Sequence, residues 1–446
     1  MQLSGDMTQG SVTKKIIAFT LPLLLGNLLQ QTYNIADTLI VGKFLGDDAL
    51  AAVGATGSIT YLFYTLCIGL SIGSGVIVSQ YFGAKMFDRL RLTVFNSALV
   101  TAAFGIVISI ASSLLAKPVL TALKVPAALI DTSAGYMSIA CAGTIAIAAY
   151  NWINAVMRAL GDSRTPLIFL AAACVLNIGL DLLFVIKLGL GVNGAAFATV
   201  IAQGLSAVMC ILFFFKKNDI VRLSKSDCRI DTLIMKKCIY TGLPIAAQNG
   251  LISVSMVALQ RVTNSFGSAV MTAYTVSMRI EQFIQQPFSS LGAAEATFTG
   301  QNIGAGKDDR AVNGLRSAVK LSSAFALVVM CLFFLFSRDL VGFFISGDRS
   351  VDIAVKALLM TCCFYVPLGL IHTIRGFLNG CGDTGYAIVN GLAEVITRIG
   401  LSLILTRISF IGFWGIWVTT SATWFVTALV SYIRYKGGKW RTKSKL

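Results

Sequence analysis

Asp37 lies inside an apolar run that opens near Ile16 and closes only at Lys43, and three polar residues lead up to it. Gln30, Tyr33, Asn34 and Asp37 are spaced 3, 1 and 3, which places them along one stripe of a helix. Asn177 and Asp181 are four apart, one turn on one face, and Ala195 and Thr199 repeat that spacing. Tyr136 and Asn154 are 18 apart, five whole turns of a straight helix. A carboxylate near the middle of a bilayer costs roughly 3 kcal/mol. Two of them, with carboxamide and hydroxyl oxygens, suit a hard monovalent cation or a shared proton. Two close carboxylates in a low dielectric cannot both be ionised cheaply, so protonation can switch such a site. The competing reading is a satisfied network between helices. Interhelical hydrogen bonds average only ~0.6 kcal/mol, so buried carboxylates are a costly way to pack helices, and function is the stronger reading.

The second half of the chain carries other intramembrane charges. Glu394 and Arg398 are four apart and are expected to neutralise each other. Arg279 and Glu281, followed by Gln282, Gln285 and Gln286, either line a cavity or lock helices together. Glu295 is expected to be wet, near a cytoplasmic end. His372 is the one histidine and has no ligand-spaced partner, so a structural or cavity-lining role is preferred to metal binding. No GxxxxGK[ST] motif, Cys/His cluster or Ser-His-Asp set occurs, which argues against an ATP-driven pump or an enzyme. The ten cysteines include no CxxC pair, and most lie in apolar runs, where they read as packing residues.

The elements that must hold these residues are membrane helices. The 446 residues are 56% hydrophobic and 13% charged, with mean hydropathy +0.78, against about 25% charge in soluble proteins. Twelve spans are expected, near 16–42, 50–80, 92–116, 129–157, 165–187, 192–215, 238–263, 268–298, 314–337, 351–379, 385–407 and 411–434. The first is too long for a signal-peptide core and is expected to be retained. With the amino terminus inside, 25 basic residues fall on the cytoplasmic side, Arg375 among them, and nine outside. That bias predicts both termini cytoplasmic in a plasma membrane. It also accounts for the net charge of +16 without any nucleic acid.

The chain repeats itself. "SQYFGAKMFDR" after span 2 matches "GQNIGAGKDDR" after span 8, so that Gln80, Gly83, Asp88 and Arg89 fall on Gln301, Gly304, Asp309 and Arg310, a shift of 221. Gly161-Asp162 falls on Gly382-Asp383 and Thr199 on Thr420 at the same shift, and Leu21-Pro22 on Leu243-Pro244 at 222. Six spans per half is an even number, so both halves enter the membrane from the same side and form a parallel repeat. The expected organisation is a first lobe over 1–215, a solvated basic linker over 216–237, and a second lobe with a basic tail over 238–446.

These motifs resemble the multidrug and toxic compound extrusion (MATE) family. The resemblance rests on twelve spans in two six-helix lobes, "LP" in spans 1 and 7, "NIADTLIVGKFLG", and the "RALGDSRTP" and "GCGDT" turns. It implies an all-α polytopic membrane protein, its twelve transmembrane helices forming two lobes related by a parallel pseudo-twofold repeat. The implied activity is secondary antiport: export of amphipathic, cationic organic compounds in exchange for H⁺ or Na⁺ by alternating access. No cofactor and no ATPase subunit are implied, and the partners are small organic substrates and membrane lipid. The family's first-lobe cation site matches Gln30 and Asp37, Tyr136 and Asn154, Asn177 and Asp181, and Ala195 and Thr199. Its hinge proline matches Pro22. Apart from the resemblance, the polar residues themselves make Tyr33, Asn34, Arg279, Glu281, Gln282, Gln285, His372, Glu394 and Arg398 the candidates for a substrate cavity. Sodium-coupled members with second-lobe carboxylates on spans 7 and 10 are not matched, because span 7 has no acid and the span 10 position falls near Leu368. A lipid or lipid-linked saccharide flippase of the same superfamily is the rival reading, and the small number of cavity arginines argues against it.

Overall fold

The computed structural model describes residues 5–122, 125–225, 227–345 and 347–443. Lys124 and Lys445, both in the basic count above, lie outside them. The helices are α1 (Val12–Leu45), α2 (Asp47–Gly83), α3 (Phe87–Ala122), α4 (Ala127–Ala142), α5 (Thr144–Ala159), α6 (Arg164–Asp181) and α7 (Gly191–Lys217) in the first half. The second half has α8 (Thr232–Asn264), α9 (Ser268–Gly304), α10 (Asp308–Gly342), α11 (Asp348–Cys362), α12 (Tyr365–Gly380), α13 (Tyr386–Leu405), α14 (Gly415–Lys436) and a short α15 (Trp440–Lys443).

Among the described residues, nine helices are long and apolar enough to cross a bilayer, and two bent pairs bring the number to eleven. The pairs are α4 with α5, bent by 41°, and α11 with α12, bent by 52°. The twelfth span is α9, 37 residues long and diluted by Arg279, Glu281, Gln282, Gln285 and Glu295. The chain is therefore an all-α polytopic membrane protein with twelve membrane-crossing helices, six in each half.

The repeat is written into the backbone as well as the sequence. Left-handed φ angles recur at a shift of 221: Gly46 and Gly267 (84° each), Lys85 and Gly306 (57° and 69°), Gly161 and Gly382 (83° and 81°), Gly191 and Gly412 (59° and 52°). A side chain disfavours this region, so its return at matching turns marks one loop plan used twice.

Two compact units emerge: Met1–Asp6 with Leu21–Ala246, and Met7–Thr20 with Ala247–Leu446. In the first, Ile153, Val156 and Trp152 of α5 pack on Val78 and Phe82 of α2 and Leu90 and Val94 of α3. Trp152 donates its indole N–H to Ser97 at 2.9 Å. The basic connection keeps Lys216, Lys217, Arg222, Lys225, Arg229 and Lys236 exposed, while its backbone is docked on α3. Asn96 donates to the Arg229 carbonyl (3.0 Å) and accepts from the Asp231 amide (2.9 Å), while Arg91 pairs with Asp227 at 3.2 Å. Ser224 donates to Asp227 from its hydroxyl and its amide, and with Arg91 beside them these bonds hold the Asp227 carboxyl below its ordinary range. That contribution to stability is present at neutral pH and fades as pH falls through the lowered value. The linker is docked because its backbone finds fixed partners on α3, which charge composition does not reveal.

The second unit is built around Trp417, Tyr365, Phe288 and Trp424. Its amino-terminal strap is held by main-chain contacts: the Met7 amide donates to Gln301 Oε1 (2.9 Å), the Met7 carbonyl accepts from Arg310 Nη2 (3.1 Å), and Lys307 donates to the Thr8 carbonyl (2.8 Å). Helices α9 and α12 touch backbone to backbone. A Cβ on Gly376 would stand 2.2 Å from the Gly292 carbonyl oxygen, and one on Gly380 would stand 2.5 Å from that of Ala296. Neither carbonyl can rotate away, so Gly376→Val should lower stability by about 3 kcal/mol, the upper end of ordinary overpacking. A melting temperature in detergent equal to wild type would contradict this close approach.

Candidate functional site

Three helices of the first unit, α1, α6 and α7, bring the site together. Asp181 closes α6 and is fully buried, just before a π-helical turn at Leu182–Lys187. Such turns widen one helical step and are frequent at functional sites. Asp37, half-buried on α1, faces Asp181 at hydrogen-bonding range. One turn before Asp181, buried Asn177 donates its amide to Thr199 of α7 at 3.5 Å, and Tyr33 of α1 donates to the same hydroxyl at 3.2 Å. Thr199 accepts both, so its own hydrogen stays free to donate.

The acceptors define the chemistry. Asp37 Oδ1, both carboxyl oxygens of Asp181 and Asn177 Oδ1 are buried, and no donor among the described residues reaches them. Facing carboxyls are all acceptor and bond only through a shared proton or a cation between them. Orphaned oxygens of this kind are what a hard cation replaces water with.

The remaining first-lobe candidates divide. Ala195 packs with Val41, Val185 and Val192, and Tyr136 lies against that group, close to both aspartates. Asn154 is buried on α5, and no donor among the described residues reaches its Oδ1. The five-turn register expected for Tyr136 and Asn154 fails because the span breaks at Gly143, putting them on two helices 41° apart. Gln30 is half-buried two turns before Asp37, and Pro22 sits inside an unbroken α1. Tyr33, expected among substrate-cavity residues, is buried and bonded to Thr199, whereas Asn34 beside it is exposed.

In the second unit, Arg398 is 1% exposed and donates to Glu394 at 2.9 Å and to Ser255 at 2.5 Å. Arg375, counted by sequence with the cytoplasmic basic residues, lies within α12 and reaches Glu394 at 3.7 Å and Asn390 at 2.7 Å. Its partners on α13 draw it in. Glu281 is buried against Thr361 with Oε1 unpartnered, and Arg279 is exposed. Gln282, Gln285 and His372 are half-buried. Glu295, expected wet, is fully buried: Thr299, one turn on, donates to it at 2.8 Å, and Phe298 and Gly314 close around it. Sequence reading passed over Gln248 and Asn390. The signal for Asn390 was its place one turn before Glu394 and two before Arg398.

Against known proteins, the model of the MatE family matches the chain twice, over residues 22–183 and 244–404. The offsets (244 against 22, 404 against 183) are those of the internal repeat. The probable multidrug resistance protein YpnP of Bacillus subtilis (strain 168) is 29% identical over 98% of this chain and 97% of its own length. Two solved structures of MATE share the fold. The bent conformation has TM-score 0.90 at 22% identity over 98% of both chains, and the straight one 0.91 at 22% over 99% of both.

Proposed function

The chain belongs to the MatE family, whose members are multi-pass membrane transporters and not enzymes, and from that premise we propose that it exports amphipathic, cationic organic compounds in exchange for H⁺ or Na⁺ by alternating access. The observation that carries the reading is the set of four buried, donorless oxygens on Asp37, Asp181 and Asn177. Asp37 and Asp181 hold the coupling ion, Asn177 and Thr199 complete its cage, and Tyr33 fixes Thr199. With the proton or cation bound, the two carboxyls are bridged. Without it they repel, and the pull between α1 and α6 changes. Pro22 lacks the amide that would bond one turn back, so α1 bends there at low cost. A relative's name as a multidrug resistance protein points the same way. The proposed location is the plasma membrane, with both termini cytoplasmic.

The energetics allow one-for-one exchange for a neutral compound, whereas for a monovalent cation the potential term cancels and a hundredfold gradient needs more ions or a steeper pH gradient. A one-unit pH gradient supplies ~1.4 kcal/mol per proton. A potential of 100 mV adds ~2.3 kcal/mol per charge. A hundredfold gradient of a neutral compound costs about 2.7 kcal/mol. Proteoliposomes with an imposed pH or Na⁺ gradient test the reading. Dye accumulation should follow one of the two gradients and collapse with it, and accumulation indifferent to both would overturn the antiport assignment.

A further inference from the structure

Unit 2 holds two arginines and one carboxylate in ion-pair reach of them. Glu394 gives its nearer oxygen to Arg398 at 2.9 Å, and its other oxygen stands 3.7 Å from Arg375, beyond a hydrogen bond. Arg375 is therefore held mainly by neutral carboxamides. Asn390 Oδ1 accepts from its Nη2 at 2.7 Å. Asn390 is itself fixed, donating to Tyr386 and Ser431 at 3.0 and 2.9 Å.

The other carboxamide cannot serve two neighbours. One terminal atom of Gln248 lies 2.8 Å from Asn390 Oδ1 and 3.1 and 3.3 Å from Arg375 Nε and Nη2. As nitrogen it bonds Asn390 and opposes the guanidinium. As oxygen it accepts from the guanidinium and opposes Asn390. In the first orientation Arg375 loses Gln248, in the second Asn390 loses it, and in both Arg375 has no hydrogen-bond partner for its Nη1 among the described residues. It is also the open member of the group: its side chain is 17% exposed, against 9% for Glu394 and 1% for Arg398. His372, three residues earlier on α12, is near it and only half-buried. A largely buried cation with an open side, a rigid frame and no full counter-ion is matched by a planar oxyanion, which a guanidinium takes through two parallel hydrogen bonds.

We propose that Arg375, framed by Gln248, Asn390 and His372, is a subsite for the carboxylate of exported amphipaths, so that zwitterionic compounds are preferred to their esters. The proposal rests on the export reading but is tested by binding alone. Rhodamine B, with a free carboxylate, and its ethyl ester differ at that one group. Their affinities are measured by fluorescence anisotropy on the full-length protein in detergent with phosphatidylcholine as the only lipid. The acid should bind wild type at least tenfold more tightly than the ester. Arg375→Gln should remove that preference and leave the ester's affinity in place, and Arg375→Lys, which keeps the charge but not the fork, should fall between. A purely structural arginine would weaken both dyes alike, leaving their ratio unchanged, and that result overturns the subsite, as does equal affinity of the two dyes for wild type. If Arg375→Gln is not recovered folded, Arg375→Lys alone decides by whether the ratio moves. Export of the ester by proteoliposomes is scored separately, so failure of transport is not confused with failure of the subsite.

Discussion

Asp181→Asn, and separately Asp37→Asn, should insert at wild-type yield and lose uphill export altogether. A hundredfold accumulation, worth about 2.7 kcal/mol, would fall to simple equilibration. The reason is local. The two carboxyls face each other with no donor among the described residues to satisfy them. An asparagine amide would supply the missing donor permanently, doing without the ion what the ion does in the cycle. The same substitution removes the desolvation penalty of a buried charge, so the melting temperature should hold or rise. Stability and transport are thus expected to move in opposite directions, a combination that ordinary damage to the fold does not produce. Gradient-driven export by either variant at the wild-type level would remove these aspartates from the ion path.

The largest expected loss of stability is at Glu394. Breaking a buried ion pair from one side costs about 3–5 kcal/mol, because the other charge is stranded. Glu394→Gln strands two guanidiniums, Arg398 beside it and Arg375 at 3.7 Å. Arg398→Met strands none, since Glu394 still has Arg375. Thermal unfolding in detergent should therefore rank Glu394→Gln well below Arg398→Met, and equal losses would contradict the shared carboxylate. Removing both, as Glu394→Leu with Arg398→Met, should recover the part of the loss owed to Arg398, leave Arg375 on its carboxamides, and keep ion-coupled export intact, with at most a change in substrate range. Loss of coupling in a stable double variant, together with normal export by Asp181→Asn, would move the ion site to the second unit.

What sequence could reveal here depended on helical period and stopped where a helix broke. The spacing of Asn177 and Asp181 survives because α6 is regular up to Asp181. The register of Tyr136 and Asn154 fails because Gly143 interrupts an apolar run that reads as continuous. The π turn after Asp181 has no signature in "LLFVIK". The grouping of Gln248, Arg375 and Asn390 was out of reach for another reason: Gln248 and Asn390 are 142 residues apart, and pairing across helices is a property of packing. Glu295 shows the limit of placing charges by depth alone. It lies near the end of α9, yet Thr299 and the ring of Phe298 enclose it. The duplication, by contrast, was legible from short motifs because turns need particular residues, and the four recurring left-handed positions are those turns.

The amino-terminal strap has a consequence for biosynthesis. The acceptor for the Met7 amide, Gln301, lies 294 residues further along the chain. At about 5–20 residues per second, α9 emerges roughly 15–60 s after the strap it must hold. For that interval α1 is threaded into the bilayer while its own anchor has not yet been translated. Alterations at Gln301 or Arg310 should therefore spare co-translational insertion of the early helices and act later, when the oldest part of the polypeptide meets a segment made about two-thirds of the way through synthesis. A pulse-chase in which protease resistance of the strap appears only after α9 has emerged would time that meeting.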